Sequence, residues 1–230
     1  MYLSDRDLKW AIEQGNLIVD PRPTKIDPTS IDLHLDSPDQ AKVWDVAAFN
    51  RDQEIPGGKP LELRIGKFNY KDFAPKYLIA PSANPADRVF RRGAEIVVKP
   101  GGFLLWQTKE WVGTPEDGAN LIAFIDGKST RARTGLLVHL TAPTIHASWA
   151  GKITLEIANL GPFHFVLEEN DSIAQIVVAT ISSIPAETMK SGSVTYNQIE
   201  VTGSSPAKTN SKDIKATSAK KSGRKPAKVK

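Results

Sequence analysis

Between residues 17 and 181 the apolar residues of this chain fall into short runs cut off by Pro, Gly, Asn or Asp. The runs are Leu17–Val19, Ile31–Leu35, Glu95–Val98, Phe103–Thr108, Leu121–Ile125, Leu136–Thr141, Ile153–Ala158 and Ser172–Ile181. Runs of this length, punctuated by turn residues, predict strands, and their number predicts an all-β barrel or sandwich. The most legible is Gly151–Asn159. A period of two puts Ile153, Leu155 and Ile157 on one face and Thr154, Glu156 and Ala158 on the other. One helix is expected, near the N-terminus: Ser4 is an N-cap residue with Asp7 three positions on, Leu8 and Ile12 share a face, and Gly15 can close it in a left-handed conformation. The stretch from Asp36 to Arg92 is rich in Pro and Gly and predicts long loops with a few edge strands. No internal repeat is visible.

Composition narrows the function. Hydrophobic residues make up 40% and charged residues 24%, an ordinary globular balance. No run approaches the roughly 18 apolar residues a membrane helix requires, and the N-terminus lacks the basic and apolar regions of a secretory signal. A cytoplasmic protein is expected. Cysteine is absent, which removes disulfides, a cysteine nucleophile and thiolate-bound zinc. The net charge of +4 and pI near 9.2 suggest a nucleic-acid binder only until the charges are mapped. Residues 204–230 hold eight Lys, one Arg and one Asp, a net +8, which leaves −4 on residues 1–203. The expected organisation is therefore a folded domain over 1–203 and a disordered basic tail over 204–230, able to make weak, salt-sensitive contact with nucleic acid.

Taken singly, the polar residues have plain structural readings. Glu156 reads as a half-exposed strand carboxylate, Gly127–Gly135 as a basic surface turn, and Trp149 as core. His139 and His146 stand seven apart with no carboxylate at a recognisable spacing, so a metal pair is not indicated and His139 reads as structural.

Four segments in order resemble the dCTP deaminase family of the trimeric dUTPase-like superfamily: Leu3–Leu8 with Gly15-Asn16-Leu17; Ile26–Leu35; Lys99–Thr108; and the block from Gly127 to Leu136 with His139–Ala142, Trp149 and Gly151–Asn159. Ile173-Ala174-Gln175 and Pro185-Ala186-Glu187 follow in place. The resemblance implies a homotrimer of distorted, jelly-roll-like β barrels with a short N-terminal helix and three sites between subunits. It implies hydrolytic deamination of dCTP to dUTP with Mg²⁺ held through the triphosphate, and no zinc.

The same resemblance assigns roles. Glu156 is the catalytic base, a task that calls for a carboxylate pKa raised toward neutrality. Ser129 and Arg133 are catalytic residues that orient the attacking water. Lys128, in a place where the family usually has Arg, faces phosphate, and Thr130 and Arg131 bind substrate beside it. Ala142 offers its backbone to the water or base edge, Trp149 packs against the deoxyribose, and Thr154 and Leu155 flank the glutamate at the substrate. Tyr196 and Gln198 correspond to a C-terminal lid. At 145–149 this chain reads Ile-His-Ala-Ser-Trp where family members commonly read Ile-Asp-Pro-Gly-Trp. His146 thus replaces a sugar-binding aspartate, and weaker nucleotide binding without loss of chemistry is expected. A dUTP pyrophosphate hydrolase and a non-catalytic nucleotide-binding relative are the alternatives; Ser129, Arg133 and Glu156 favour the deaminase.

Overall fold

The computed structural model describes residues 1–52, 62–116, 120–139 and 141–186. The N-terminal helix forms as its capping residues dictate. Helix α1 (Asp5–Glu13) starts at Ser4, whose hydroxyl accepts from the Asp7 amide, while the Asp7 carboxylate accepts from the Ser4 amide at 3.2 Å. Two amides that the helix leaves unpaired are satisfied reciprocally, and both first-turn acids complement the helix dipole. Leu8 and Ala11 are buried, Ile12 packs partly on the core, and Gly15 follows at φ +74°.

The strands come next in chain order: β1 (Ile18–Asp20), β2 (Ile31–His34), β3 (Val43–Trp44), then α2 (Val46–Asp52) and α3 (Tyr70–Tyr77), β4 (Leu78–Ile79), β5 (Val89–Arg92), β6 (Glu95–Val98), β7 (Phe103–Gly113) and β8 (Leu121–Gly127). A one-turn helix α4 (Ser129–Ala132) precedes β9 (Leu136–Val138), β10 (Thr144–Ile145), β11 (Ala150–Asn159), β12 (Phe165–Leu167) and β13 (Ser172–Thr180). Two four-stranded sheets, β1-β7-β11-β9 and β10-β8-β13-β2, carry the core between them, and β12-β6-β5 forms a third. Leu104, Trp106, Leu155 and Ile157 from the first sheet and Leu33, Ile173, Ile176 and Val178 from the second belong to one buried cluster. Each fully buried aliphatic side chain contributes about 1.5–3 kcal/mol.

Pairing of β7 with β11 is antiparallel and irregular at one place. Lys152 faces Trp111 and Thr154 faces Gln107, so Thr108, Lys109 and Glu110 stand opposite Ile153 alone. The bulge is held by Thr108, whose Oγ1 accepts from the Ile153 amide at 2.9 Å and donates to the Glu110 carbonyl at 2.9 Å. This keeps the alternation of β11 in phase: Ile153, Leu155 and Ile157 all face the core.

Two expectations change. The stretch Asp36–Arg92 contains edge strands, as expected, but also the helices α2 and α3. Proline frequency misleads here. Pro75 sits inside α3, and Asn69 caps it by accepting from the Lys71 amide at 3.1 Å. Aromatic stacking gives the region its order: Trp44, Phe49, Phe68, Tyr70, Phe73 and Tyr77 meet with ring centroids 4.8–6.3 Å apart. Contacts between distant residues of this kind leave no periodic trace. The run Leu136–Thr141 also ends early as a strand, at Val138.

Candidate functional site

Glu156 sits in the second half of β11, opposite Leu105 of β7 on one side. On the other side β9 pairs Val138 with Ile157, and the next amide, that of His139, donates to the Glu156 carbonyl at 2.9 Å. His139 then turns out of the strand with φ +57°, a conformation rare outside glycine. The turn brings its Nδ1 to 2.8 Å from Glu156 Oε2 and its Nε2 to 2.7 Å from the Ala142 carbonyl. The Nδ1 contact is an ion-pair contact without the alignment of a hydrogen bond. The His139 side chain is 8% exposed and that of Glu156 37%. Burial alone would lower the His139 pKa, but Glu156 and the carbonyls of Ala142 and Thr154 outweigh it, and the ring is held above its ordinary value. With acceptors at both nitrogens, the imidazolium is the form this pocket suits.

The sequence reading missed this partnership. His139 and Glu156 are 17 positions apart, and no local spacing links them. Only the pairing of β9 with β11 does. His139 has a carboxylate neighbour after all, and it is Glu156; His146 is exposed on the way into β11.

Ser129 and Thr130 on α4, and Arg133 at its C-cap, are exposed to solvent. Close backbone contact sets this turn against the end of β11. The Leu160 amide donates to the Gly135 carbonyl at 2.9 Å, and a Cβ on Gly135 would lie 2.4 Å from Gly161. Gly135 also needs its φ of +92°, which L side chains rarely adopt. Lys128 is drawn to Asp32 of β2, which also accepts from Ser172 at 3.1 Å. Burial pushes the Asp32 carboxyl up, but its bonds to Lys128 and Ser172 prevail and hold it below the usual range. Lys128, Thr130 and Arg131 share a cavity of about 620 Å³ with Asp32, Phe165 and Ser172. Three residues expected to meet the substrate are thus brought together, whereas Glu156 stands with His139.

The remaining expected residues are placed as follows. Ala142 uses its carbonyl for His139. The Leu155 side chain is fully buried in the core, so only its backbone is available to a ligand, and Thr154 beside it is 6% exposed. Trp149 is 8% exposed and belongs to the core cluster. Ser148 takes φ +66° while its amide donates to Thr114 Oγ1 at 2.7 Å. Tyr196, Gln198 and the basic tail lie outside the described residues.

Comparison with known proteins follows the same residues. A family model described as dCTP deaminase-like matches residues 2–181. A protein of Dictyoglomus thermophilum named "dCTP deaminase, dUMP-forming" is 34% identical over 209 residues, covering 86% of this chain and 91% of its own length. A protein of Marinomonas sp. named "dCTP deaminase" is 31% identical, covering 79% of this chain and 84% of its own. Among solved structures, 2'-deoxycytidine 5'-triphosphate deaminase from Agrobacterium tumefaciens matches with a TM-score of 0.51 at 18% identity, over 78% of this chain and 48% of that one. The structural likeness establishes a shared fold. The family model, which spans both sheets, α4 and the Glu156 strand, establishes descent: this chain belongs to the dCTP deaminase-like family.

Proposed function

We propose that the protein is a cytoplasmic, homotrimeric dCTP deaminase that converts dCTP and water to dUTP and ammonia. The observation that carries this reading is Glu156: a carboxylate on a central strand, more than a third exposed, with His139 against it. In the reaction a water gives a proton to Glu156 as its oxygen bonds to C4 of cytosine. The proton passes to the exocyclic amino group, the C4–N bond breaks as ammonia leaves, and the remaining hydroxyl proton moves to N3, which gives uracil its C4 carbonyl and its N3–H. His139 fixes the direction of the carboxylate, and Ser129 and Arg133 orient the water. The exposure of Ser129 and Arg133 in a single chain suits a site completed between subunits.

Among the described residues no three His, Asp or Glu side chains converge to hold a metal, while Lys128 and Arg131 line the cavity beside α4. These two cations suit the phosphates of dCTP, and the magnesium of this reading would come bound to that triphosphate and screen part of its charge. Residues 204–230, with their +8, form a separate tail dispensable for chemistry and able to attract nucleic acid weakly.

A second reading, dUMP as the end product, is favoured by the name of the Dictyoglomus relative. His146 argues for dUTP: a histidine cannot supply the fixed negative charge of the aspartate it replaces. Incubating the purified chain with Mg²⁺ and dCTP and resolving the products decides between them. Accumulating dUTP supports the proposal, dUMP with pyrophosphate supports the second reading, and unchanged dCTP sinks both.

A further inference from the structure

The sheet order β10-β8-β13-β2 sets Asp32 and Lys128 on opposite sides of β13. Asp32 lies on β2 between Ile31 and Leu33, which are fully buried, and a period of two turns it to the other face. Gly127, the last residue of β8, pairs with Ala174 of β13, and Ala174 pairs on its other edge with Leu33. Lys128 follows as the N-cap of α4, and its ammonium reaches past β13 to Asp32 Oδ1 at 2.5 Å. The other carboxylate oxygen, Oδ2, accepts from Ser172 Oγ at 3.1 Å. Both oxygens of Asp32 are therefore engaged, by residues 96 and 140 positions away in the chain.

The neighbouring charges leave this contact alone: Lys25 pairs with Asp27 at 2.6 Å, and His34 meets Glu110 at 2.7 Å. Lys128, Asp32 and Ser172 all line the 620 Å³ cavity. Arg131 lines it too, and its guanidinium has no hydrogen bond or ion pair among the described residues. A carboxylate beside bound phosphates opposes them by charge, so any benefit it brings must come from geometry. Lysine is a point charge on a flexible four-carbon stem, and fixing it costs rotamer freedom. Asp32, anchored on its strand by two buried neighbours, takes one ammonium proton and leaves the others for a ligand. We infer that Asp32 is a positioning residue for the triphosphate, holding the Lys128 ammonium at the cavity wall so that it meets phosphate oxygens already oriented.

This inference rests on the deaminase reading, which supplies the triphosphate; calorimetry of the full chain with inorganic triphosphate and Mg²⁺ tests it without deamination. Asp32→Asn should bind triphosphate about 10-fold more weakly, part of the worth of one charged hydrogen bond. KM for dCTP should rise by the same factor, with kcat unchanged. Charge alone predicts the reverse, because the substitution removes a repulsion. In a Lys128→Ala background the sign should invert: with no ammonium to hold, Asp32→Asn should tighten triphosphate binding about 2-fold. A purely structural Asp32 would weaken binding equally in both backgrounds. Ser172→Ala keeps both charges and frees one carboxylate oxygen; it should weaken binding about 2–3-fold and decides the matter if Asp32→Asn does not fold. Unchanged or tighter binding by Asp32→Asn, equal losses in both backgrounds, or unchanged binding by Ser172→Ala overturns the inference. An unmodified protein that binds triphosphate but leaves dCTP intact sinks the deaminase reading and leaves the inference standing. One that deaminates dCTP without binding triphosphate does the opposite.

Discussion

The ladder β7-β11-β9 and the aromatic insertion between β2 and β5 (described residues 42–52 and 62–79) are built by different rules. In the ladder residues pair across strands on either side of one bulge, and one face of β11 is sealed in the main core. In the insertion α2 buries no residue and α3 only Ala74 and Tyr77, and six aromatic rings stack on one another instead. The ladder draws stability from the apolar area it buries. The insertion draws it from a handful of edge contacts worth roughly 0.5–1.5 kcal/mol each. Packing of the second kind can lose a ring contact without disturbing the strand that carries Glu156.

That division can be broken most sharply at Glu156. Glu156→Gln should lose about 10²–10⁴-fold in kcat for dCTP, while urea denaturation at a pH above the His139 titration shows stability unchanged within roughly 0.5 kcal/mol, because the side chain is partly exposed and its charge then has no imidazolium to pair with. Leu155→Ala, one residue away on the core face, should do the reverse, costing about 2–5 kcal/mol in the same titration.

His139 lies between these extremes. Its pKa is raised on folding, so its stabilisation is fully present below the ordinary value of 6.5 and fades as pH rises through the higher folded value. His139→Gln should therefore be less stable than the parent by roughly 1.5–3 kcal/mol at pH 6, and the gap should narrow as the pH is raised. A gap that widens with pH would show that the ring is buried neutral.

Phe73 contacts four rings of the insertion. Phe73→Leu should cost only about 0.5–1.5 kcal/mol; a loss as large as that of Leu155→Ala would show that the insertion is part of the main core. The smallest effect is expected at exposed His146. His146→Asp should lower KM for dCTP about 2–13-fold, the worth of one hydrogen bond, with kcat unchanged.

What could be read in the sequence follows the same division. The Ser4–Asp7 capping box and the alternation through Gly151–Asn159 are local, and both appear in the structure as expected. The pair His139–Glu156 depends on strand register, and α3 depends on ring contacts reaching 24–29 positions back to Trp44 and Phe49. Neither leaves a period in the chain. Family resemblance located Glu156 among several strand carboxylates, whereas spacing alone did not separate it from Glu110, a buried acid that accepts from the His34 amide at 2.9 Å and meets its ring at 2.7 Å.

The meeting of Gly135 and Gly161 has a mechanical consequence. With no side chain on either residue, the α4 turn and the end of β11 touch backbone to backbone, and Gly161 has the Thr134 carbonyl where a Cβ would go. The turn's distance from the Glu156 strand is thus set by main-chain atoms, which are the same whatever side chains the turn carries. Its cations can be exchanged, as Lys128 for arginine, without the turn changing height. A methyl group at either glycine would act as a shim, lifting Ser129 and Arg133 together away from the strand without altering any polar side chain.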